Sequence, residues 1–109
     1  MITWDDFEKI DIRSGTILEV TEFPKAKKPA FQLSIDFGPL GIKKSSAQIT
    51  AHYTASQLIG TQVLAVVNFP PKQIANFFSE CLVLGVYDTA GQVILVQPER
   101  PVANGQRLG

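Results

Sequence analysis

The chain has 109 residues, a length typical of one compact domain, so we expect a single domain over residues 1–109. Ten basic side chains balance ten acidic ones, which excludes a long-range electrostatic pull toward nucleic acid or an anionic membrane. No apolar run reaches the roughly 18 residues of a membrane span, so we expect no membrane insertion. The first residues lack the features of a secretory signal, and a lone Cys81 suits a reducing compartment. These features predict a cytoplasmic protein.

A short helix is predicted near the start of the chain, through residues 4–9. Thr3 followed by Asp6 imitates a capping box, in which both side chains bind free backbone N–H groups. A helix this short persists only when its apolar face packs on something, and a two-fold partner could cover that face. The residues predicted to form a dimer interface are Trp4, Phe7 and Ile10.

Two strand patterns follow the helix. In the first, residues 10, 12, 16, 18 and 20 share one face, and Gly15 marks a bulge or a sharp bend. In the second, Phe31, Leu33, Ile35 and Phe37 alternate with polar residues. The turn at residues 38–41 then leads into a further strand over residues 42–49, which completes a hairpin.

Lysines are concentrated at two places in this half of the chain. A proline-bounded loop over residues 22–30 carries Lys25, Lys27 and Lys28. The strand over residues 42–49 is unusually polar on both faces, so at least one face is expected to be wet or to hold a polar ligand. Its polar side chains are Lys43, Lys44, Ser45, Ser46 and Gln48.

The second half begins with a helix over residues 50–59 that ends at Gly60. Apolar runs over residues 63–67, 82–87 and 93–96 have strand length. Between the first two lies a proline-stiffened loop with Lys72 and three phenylalanines. Burial of one phenylalanine is worth about 1.5 to 3 kcal/mol, so we expect these rings to pack on the core or on a partner. They are Phe69, Phe77 and Phe78.

Five or six short strands with closely spaced turns favour an all-β fold. Closure into a small barrel removes free sheet edges, which would otherwise pair with other chains. We therefore predict a five-stranded OB-fold barrel with a short N-terminal helix and a short helix between strands 3 and 4. A β-sandwich is the second choice.

The residue inventory argues against an enzyme. His52 is the only histidine, so no Ser-His-Asp or Cys-His arrangement is evident, and a surface or capping role suits it better. No cluster has metal-ligand spacing, and no phosphate-binding glycine loop occurs, so no cofactor and no metal are expected. Cys81 lies inside an apolar run and is interpreted as a small core residue.

The lysines allow a nucleic-acid site. In an OB barrel, the loops after strands 1 and 4 flank the face of strands 2 and 3, where nucleic acid commonly lies. Phosphate contacts would supply affinity, and hydroxyl and amide groups would fix orientation. The residues predicted for tRNA binding are Lys25, Lys27, Lys28, Lys43, Lys44, Ser46, Gln48, Lys72 and Ser79.

A family resemblance sharpens these alternatives. The segment from Asp6 to Ile17 resembles the stand-alone tRNA-binding domain family, whose relatives are appended to some methionyl- and phenylalanyl-tRNA synthetases. Further motifs resemble the CsaA branch of that family, the bacterial secretion chaperones, and the likeness extends to Arg107. These motifs are Phe23-Pro-Lys-Ala, Ile35-Asp-Phe-Gly, Gly41-Ile-Lys-Lys-Ser-Ser-Ala-Gln-Ile-Thr50 and Ala65-Val-Val-Asn-Phe-Pro-Pro-Lys72.

The resemblance implies an OB-fold homodimer that binds unfolded or export-bound polypeptides, with tRNA as a further ligand. Where tRNA-binding members carry Ser-x-Gly-Met, this chain retains Ser79 but has Cys81 and Leu82, a departure that disfavours strong tRNA binding. Two hypotheses follow: an ATP-independent export chaperone, and a structure-specific tRNA-binding protein. The residues predicted for polypeptide binding are Phe69, Pro70, Pro71, Ile74, Phe77 and Phe78.

Overall fold

The computed structural model describes all 109 residues and contains one five-stranded antiparallel sheet with two small hairpins. The strands of this sheet are β1 (Ile12–Glu22), β2 (Phe31–Asp36), β3 (Ile42–Ala47), β4 (Gln62–Val66) and β7 (Leu82–Val83). Their order in the sheet is β3-β2-β1-β4-β7. The hairpins pair β5 (Lys72–Ile74) with β6 (Phe77–Ser79), and β8 (Gly85–Tyr87) with β9 (Val93–Leu95).

Two short helices accompany the strands, as the sequence predicts. Helix α1 (Trp4–Glu8) begins at the expected capping box, in which the Thr3 hydroxyl accepts from the Asp6 N–H (3.1 Å) and the Asp6 carboxylate accepts from the Thr3 N–H (3.0 Å). Helix α2 (Ala55–Leu58) is shorter than the predicted span of residues 50–59, because Thr54 caps it at residue 54. No helix is long and apolar enough to cross a membrane.

The core confirms one strand prediction and corrects another. Strand β2 alternates between buried and half-buried residues, as its pattern predicts. In β1, however, the pairing with β2 shifts register between Ile17 and Glu19. Ile17 pairs with the buried Ile35 and Val20 pairs with the buried Leu33, so both face the core, whereas Leu18 is 41% exposed. The predicted face with residues 16, 18 and 20 is therefore divided: Val20 packs on the core, and the Thr16 hydroxyl on the other face donates to the Asn104 Oδ1.

Gly15 does not mark the irregularity. It pairs in regular register with Val63, and a Cβ atom at this position would lie 2.7 Å from side-chain carbons of both Ile35 and Phe37. Glycine is required there because two core side chains pack directly against its backbone.

The sheet closes into a barrel through hydrogen bonds between β3 and residues 79–81. The Glu80 N–H donates to the Lys44 carbonyl (2.7 Å), and the Lys44 N–H donates to the Glu80 carboxylate (2.9 Å). The buried Ser45 hydroxyl donates to the Cys81 carbonyl (2.9 Å). The five-stranded, nearly closed OB-type barrel is therefore confirmed, and the sandwich alternative is not adopted.

The C-terminal segment adds an edge to the first half of β1. The N–H of Gly105 donates to the Ser14 carbonyl (2.7 Å), and the Ser14 N–H donates to the Gln106 carbonyl (2.9 Å). The buried Ser14 hydroxyl donates to the Ala103 carbonyl (2.8 Å) and accepts from the Gln106 N–H (3.0 Å). A tail without long regular structure, as predicted, is thus fixed against the barrel.

Candidate ligand-binding face and hairpin

The predicted loop between the apolar runs is a structured hairpin. Ile74 pairs with Phe77 across a two-residue turn, and Gln73 pairs with Phe78. Because directly opposed residues share a face, Ile74 and Phe77 lie on one side of the hairpin and Phe78 on the other. The segment that the sequence analysis treats as a proline-stiffened loop therefore contains two short paired strands, Lys72–Ile74 and Phe77–Ser79.

The two faces of this hairpin have different surroundings. Phe77 is half-buried, and its ring centroid lies 5.4 Å from that of the buried Phe23 in the β1–β2 loop. Phe78 remains 54% exposed, as does Phe69 before the strand. Pro70 and Pro71 are also exposed. The structure thus divides the predicted polypeptide-binding set into anchoring residues, Ile74 and Phe77, and exposed residues.

Part of the predicted tRNA-binding set converges at the base of the hairpin. Lys72 pairs with Ser79, and the Ser79 hydroxyl accepts from the Ser46 N–H (3.1 Å). Lys44 lies two residues from Ser46 and therefore on the same outer face of β3. Lys43 lies on the opposite face, because it pairs directly with the buried Ile35.

The remaining residues of that set lie further away along the chain. Gln48 is exposed just beyond the end of β3. The three lysines of the β1–β2 loop are exposed, and the Phe23–Phe77 contact joins their loop to the hairpin. The structure therefore places the loop that carries these three lysines beside the hairpin that carries Lys72.

Acidic side chains interrupt this basic surface. Glu80 lies beside Lys44 through the two hydrogen bonds that close the barrel. On the outer face, Glu19 pairs with Ser34, which in turn pairs with Lys44. The Asp36 carboxylate accepts from the Gly38 N–H (2.8 Å). The face consequently carries mixed charge rather than a continuous positive stripe.

Cys81 occupies the closure of the barrel and is buried, as interpreted from the sequence. Burial raises the pKa of its thiol to about 12, since a thiolate would lose its hydration there. The thiol therefore stays protonated at neutral pH, which suits a packing role rather than nucleophilic chemistry.

The single histidine contacts the β8–β9 turn. Its Nε2 lies 2.8 Å from an Asp88 carboxylate oxygen, and the neighbouring Tyr53 hydroxyl accepts from the Leu95 N–H (3.0 Å). The contact with His52 is the main reason that the pKa of Asp88 lies below its usual range. These bonds hold the β8–β9 hairpin against residues 52–53.

The predicted dimer-interface residues form an apolar surface on α1. Trp4 is 86% exposed and Ile10 is 44% exposed, whereas Phe7 is half-buried. The helix is tied down by polar contacts instead: the Asn68 side-chain amide donates to the Lys9 carbonyl (2.7 Å), and Arg107 donates to the Glu8 carbonyl (2.8 Å).

Further exposed apolar side chains were missed by the sequence analysis. Val86 and Ile94 pair across β8 and β9 and are both exposed, and Tyr87 beside them is 78% exposed. The available signal was that these strands are apolar at consecutive positions, so one apolar face remains after the other has packed.

Comparison with known proteins identifies the family. The model of the family described as "Putative tRNA binding domain" matches residues 12–107. A methionine–tRNA ligase from Porphyromonas gingivalis is 36% identical over 107 residues, which are 98% of this chain but 15% of the ligase. The chain thus spans only a small part of that relative's length, and the match concerns a binding domain. The sequence-based expectation of a non-enzyme agrees with this family.

Solved CsaA structures from two organisms resemble the whole chain. The chaperone CsaA from Bacillus anthracis superposes with a TM-score of 0.95 at 50% identity, covering 100% of this chain and 99% of that one. The CsaA chaperone protein from Picrophilus torridus gives a TM-score of 0.94 at 53% identity, with both chains covered completely. The resemblance to the CsaA branch is therefore confirmed, and the chain belongs to the tRNA-binding domain family.

Proposed function

We propose that this protein is an ATP-independent chaperone that binds unfolded or export-bound polypeptides as a homodimer. The observation that carries this proposal is the exposure of Phe69 and Phe78, each 54% exposed, on a hairpin anchored to the barrel. Support also comes from the two full-length structural neighbours, both described as chaperones and at least 50% identical to this chain.

The mechanism is passive shielding. A client's apolar side chain that covers either ring removes apolar area from water, and each ring contributes at most about 1.5 to 3 kcal/mol. Pro70 and Pro71 restrict the backbone beside Phe69, so little conformational entropy is lost when the client binds. Binding and release then follow the client's own exposure of apolar segments, and no nucleotide is needed.

The test is suppression of aggregation. Purified protein is mixed with a chemically unfolded client in the absence of ATP, and light scattering is followed. We expect the wild-type chain to slow aggregation and the double variant Phe69→Ser/Phe78→Ser to lose most of this effect. The matched control is Ile59→Ser, which removes a 53% exposed apolar side chain in the turn between α2 and β4. Equal protection by the double variant would refute the hairpin as the client site.

The homodimer is tested separately. We propose that the exposed Trp4 and Ile10, with the half-buried Phe7, contact a second subunit. Sedimentation at micromolar concentration should give a dimer for the wild-type chain and a shift toward monomer for Trp4→Ser. A monomeric wild-type chain would exclude this part of the proposal without affecting the client site.

The second candidate function is tRNA binding by the outer face. The observation that favours it is the convergence of Lys72, Ser79 and Ser46, linked by strand pairing and a 3.1 Å hydrogen bond. Phosphate contacts release counterions, so the affinity should fall steeply as salt increases. Substitution Glu80→Gln keeps an oxygen acceptor for the Lys44 N–H but removes a negative charge, so tRNA affinity should rise severalfold. A salt-independent affinity, or no binding, would reject this candidate.

A further inference from the structure

A cleft of about 460 Å³ lies beside the β1–β2 loop, and none of the hairpin residues lines it. Its volume is within the roughly 300 to 1,000 Å³ of ordinary small-ligand sites. The floor consists of Phe23, Ala30 and Phe31, each at most 6% exposed, and Pro24 and Pro29 stand at its sides. The cleft therefore has an apolar floor with polar side chains at its walls, and it is separate from the exposed rings of the hairpin.

The walls of this cleft are held by hydrogen bonds. The Phe23 N–H donates to the Ala30 carbonyl (3.2 Å), which closes the base of the β1–β2 loop. On the other wall, the Tyr53 hydroxyl is fixed by the Leu95 N–H (3.0 Å), and Thr54 caps α2. Because both walls are held in place, a ligand would enter a preformed site with little ordering cost.

The loop that forms one wall also carries positive charge. Lys25, Lys27 and Lys28 lie between the two lining prolines, are exposed, and take part in none of the ion pairs of the structure. One carboxylate, that of Glu22, lines the cleft itself, and the three lysines stand at its edge, on the loop segment between Pro24 and Pro29. A partner with its own carboxylates next to an apolar group would match this arrangement.

We propose that this cleft is a second polypeptide subsite, which accepts an apolar client side chain while acidic residues flanking it contact the three lysines. The inference rests on the proposed chaperone function and specifies its substrate class as apolar segments with acidic neighbours. RNA fits the cleft less well. Phe23 and Phe31 are buried and offer no open ring face on which a base could stack, whereas an apolar side chain can pack against the exposed Pro24 and Pro29.

The experiment compares two fluorescent peptides with the same Leu-Phe-Leu centre, flanked by glutamates in one and by lysines in the other. Fluorescence anisotropy with the full chain at low salt should show at least about tenfold tighter binding of the glutamate peptide, a preference that salt weakens. The triple variant Lys25→Gln/Lys27→Gln/Lys28→Gln should lose the preference. Ala55→Phe, which fills the cleft, should weaken both peptides, whereas the control Ala90→Phe on the exposed β8–β9 turn should bind normally.

A second variant tests the cleft independently of whether Ala55→Phe folds. Thr50→Glu places another carboxylate on the wall, and it should weaken the glutamate peptide more than the lysine peptide. Equal binding of both peptides by the wild-type chain, or normal binding by Ala55→Phe, would overturn the inference. A loss of peptide binding that occurs only in variants of the hairpin would overturn it as well. Oligonucleotide binding that Ala55→Phe abolishes, without peptide binding, would assign the cleft to RNA and also overturn it.

The outcomes for the two client sites are separable. Peptide preference without any suppression of aggregation would leave the cleft as a peptide site and refute the chaperone function. Suppression of aggregation that is lost with Phe69 and Phe78 but is unchanged in the cleft variants would support the chaperone function and refute the cleft as a client site.

Discussion

The barrel and the β5–β6 hairpin use the same types of apolar residue with opposite results. In the barrel, Ile17, Ile35 and Phe37 have no exposed surface, and the buried hydroxyls of Ser14 and Ser45 are hydrogen-bonded. In the hairpin, Phe77 is half-buried and Phe78 stays 54% exposed. The difference shows that the barrel buries its large apolar side chains, whereas the hairpin leaves part of its apolar surface exposed.

The attachment of the hairpin explains how it stays exposed without being loose. Phe77 contacts Phe23 in the neighbouring loop, and Ser79 binds the backbone of β3 at Ser46. These contacts use one face and one end of the hairpin. The other face therefore projects from the barrel in a fixed direction, which is the condition for a binding surface.

The largest expected effect concerns the stability of the barrel, and it compares substitutions at two adjacent residues of β1. Ile17→Ala removes a fully buried side chain and should lower the free energy of unfolding by about 2 to 5 kcal/mol. Leu18→Ala removes a 41% exposed side chain and should cost less than about 1 kcal/mol. Urea unfolding of both variants measures the difference. Equal costs, or a larger cost for Leu18→Ala, would contradict the register of β1.

This pair also shows where sequence patterns stop being informative. The alternation of β2 predicted its buried face correctly, because both neighbouring strands pair with it in nearly regular register. In β1, alternation alone placed Leu18 on the same face as Thr16 and Val20, but only Val20 packs on the core. An irregularity between Ile17 and Glu19 changes the phase, and no residue type at those positions signals it.

The candidate site was predictable in composition but not in arrangement. Phe69, Phe77 and Phe78 were identified from their positions in a proline-bounded segment, yet pattern alone did not show which ring is an anchor. That assignment depends on Phe23, which lies 54 positions before Phe77 and meets it only in the folded chain. Likewise, Ser79 reaches Ser46 only because the barrel closes between β3 and residues 79–81.

The next effect concerns pH and the closure of the barrel. Cys81 has a pKa of about 12 in the folded state, against an ordinary value of 9.0 in the unfolded chain. Between these values the unfolded chain loses a proton that the folded chain keeps, so the free energy of unfolding falls as pH rises. The slope from this group is at most about 1.4 kcal/mol per pH unit, and below pH 9 it vanishes.

The measurement is urea unfolding across that pH range for the wild-type chain and for Cys81→Ala. Other groups titrate in both proteins, so the difference between the two curves isolates the thiol. We expect the variant to lose the additional slope, and a thiol reagent to react with the native wild-type chain far more slowly than with the unfolded one. If the free energies of unfolding of the two proteins changed with pH in parallel, and the thiol reagent reacted quickly with the native wild-type chain, Cys81 would be accessible to solvent.

A smaller effect tests the anchoring of the hairpin. Phe77→Ala removes the half-buried ring that contacts Phe23 and should cost about 1 to 2 kcal/mol. The next residue of β6, on the other face, provides the control, because Phe78→Ala should change stability by no more than about 0.5 kcal/mol. Hydrogen exchange should show faster opening of residues 72–79 in the first variant alone. Similar exchange in both variants would mean that the Phe23–Phe77 contact does not hold the hairpin.

The smallest expected effect lies in the hairpin turn. Ala75 has φ = 53°, the only positive φ among the non-glycine residues, and it occupies the first of the two turn positions. A left-handed conformation costs an L-residue about 1 to 2 kcal/mol, whereas glycine adopts it freely but loses about 0.5 to 1 kcal/mol more backbone entropy on folding. Ala75→Gly should therefore stabilise the hairpin by about 0.5 to 1 kcal/mol, seen as slower hydrogen exchange in residues 72–79. Substitution Ala90→Gly in the β8–β9 turn should not stabilise the chain, because the φ of Ala90 is not positive. If Ala75→Gly instead loosened the hairpin, the turn would not be strained, and the exposed face of Phe78 would be held by the strand pairing alone.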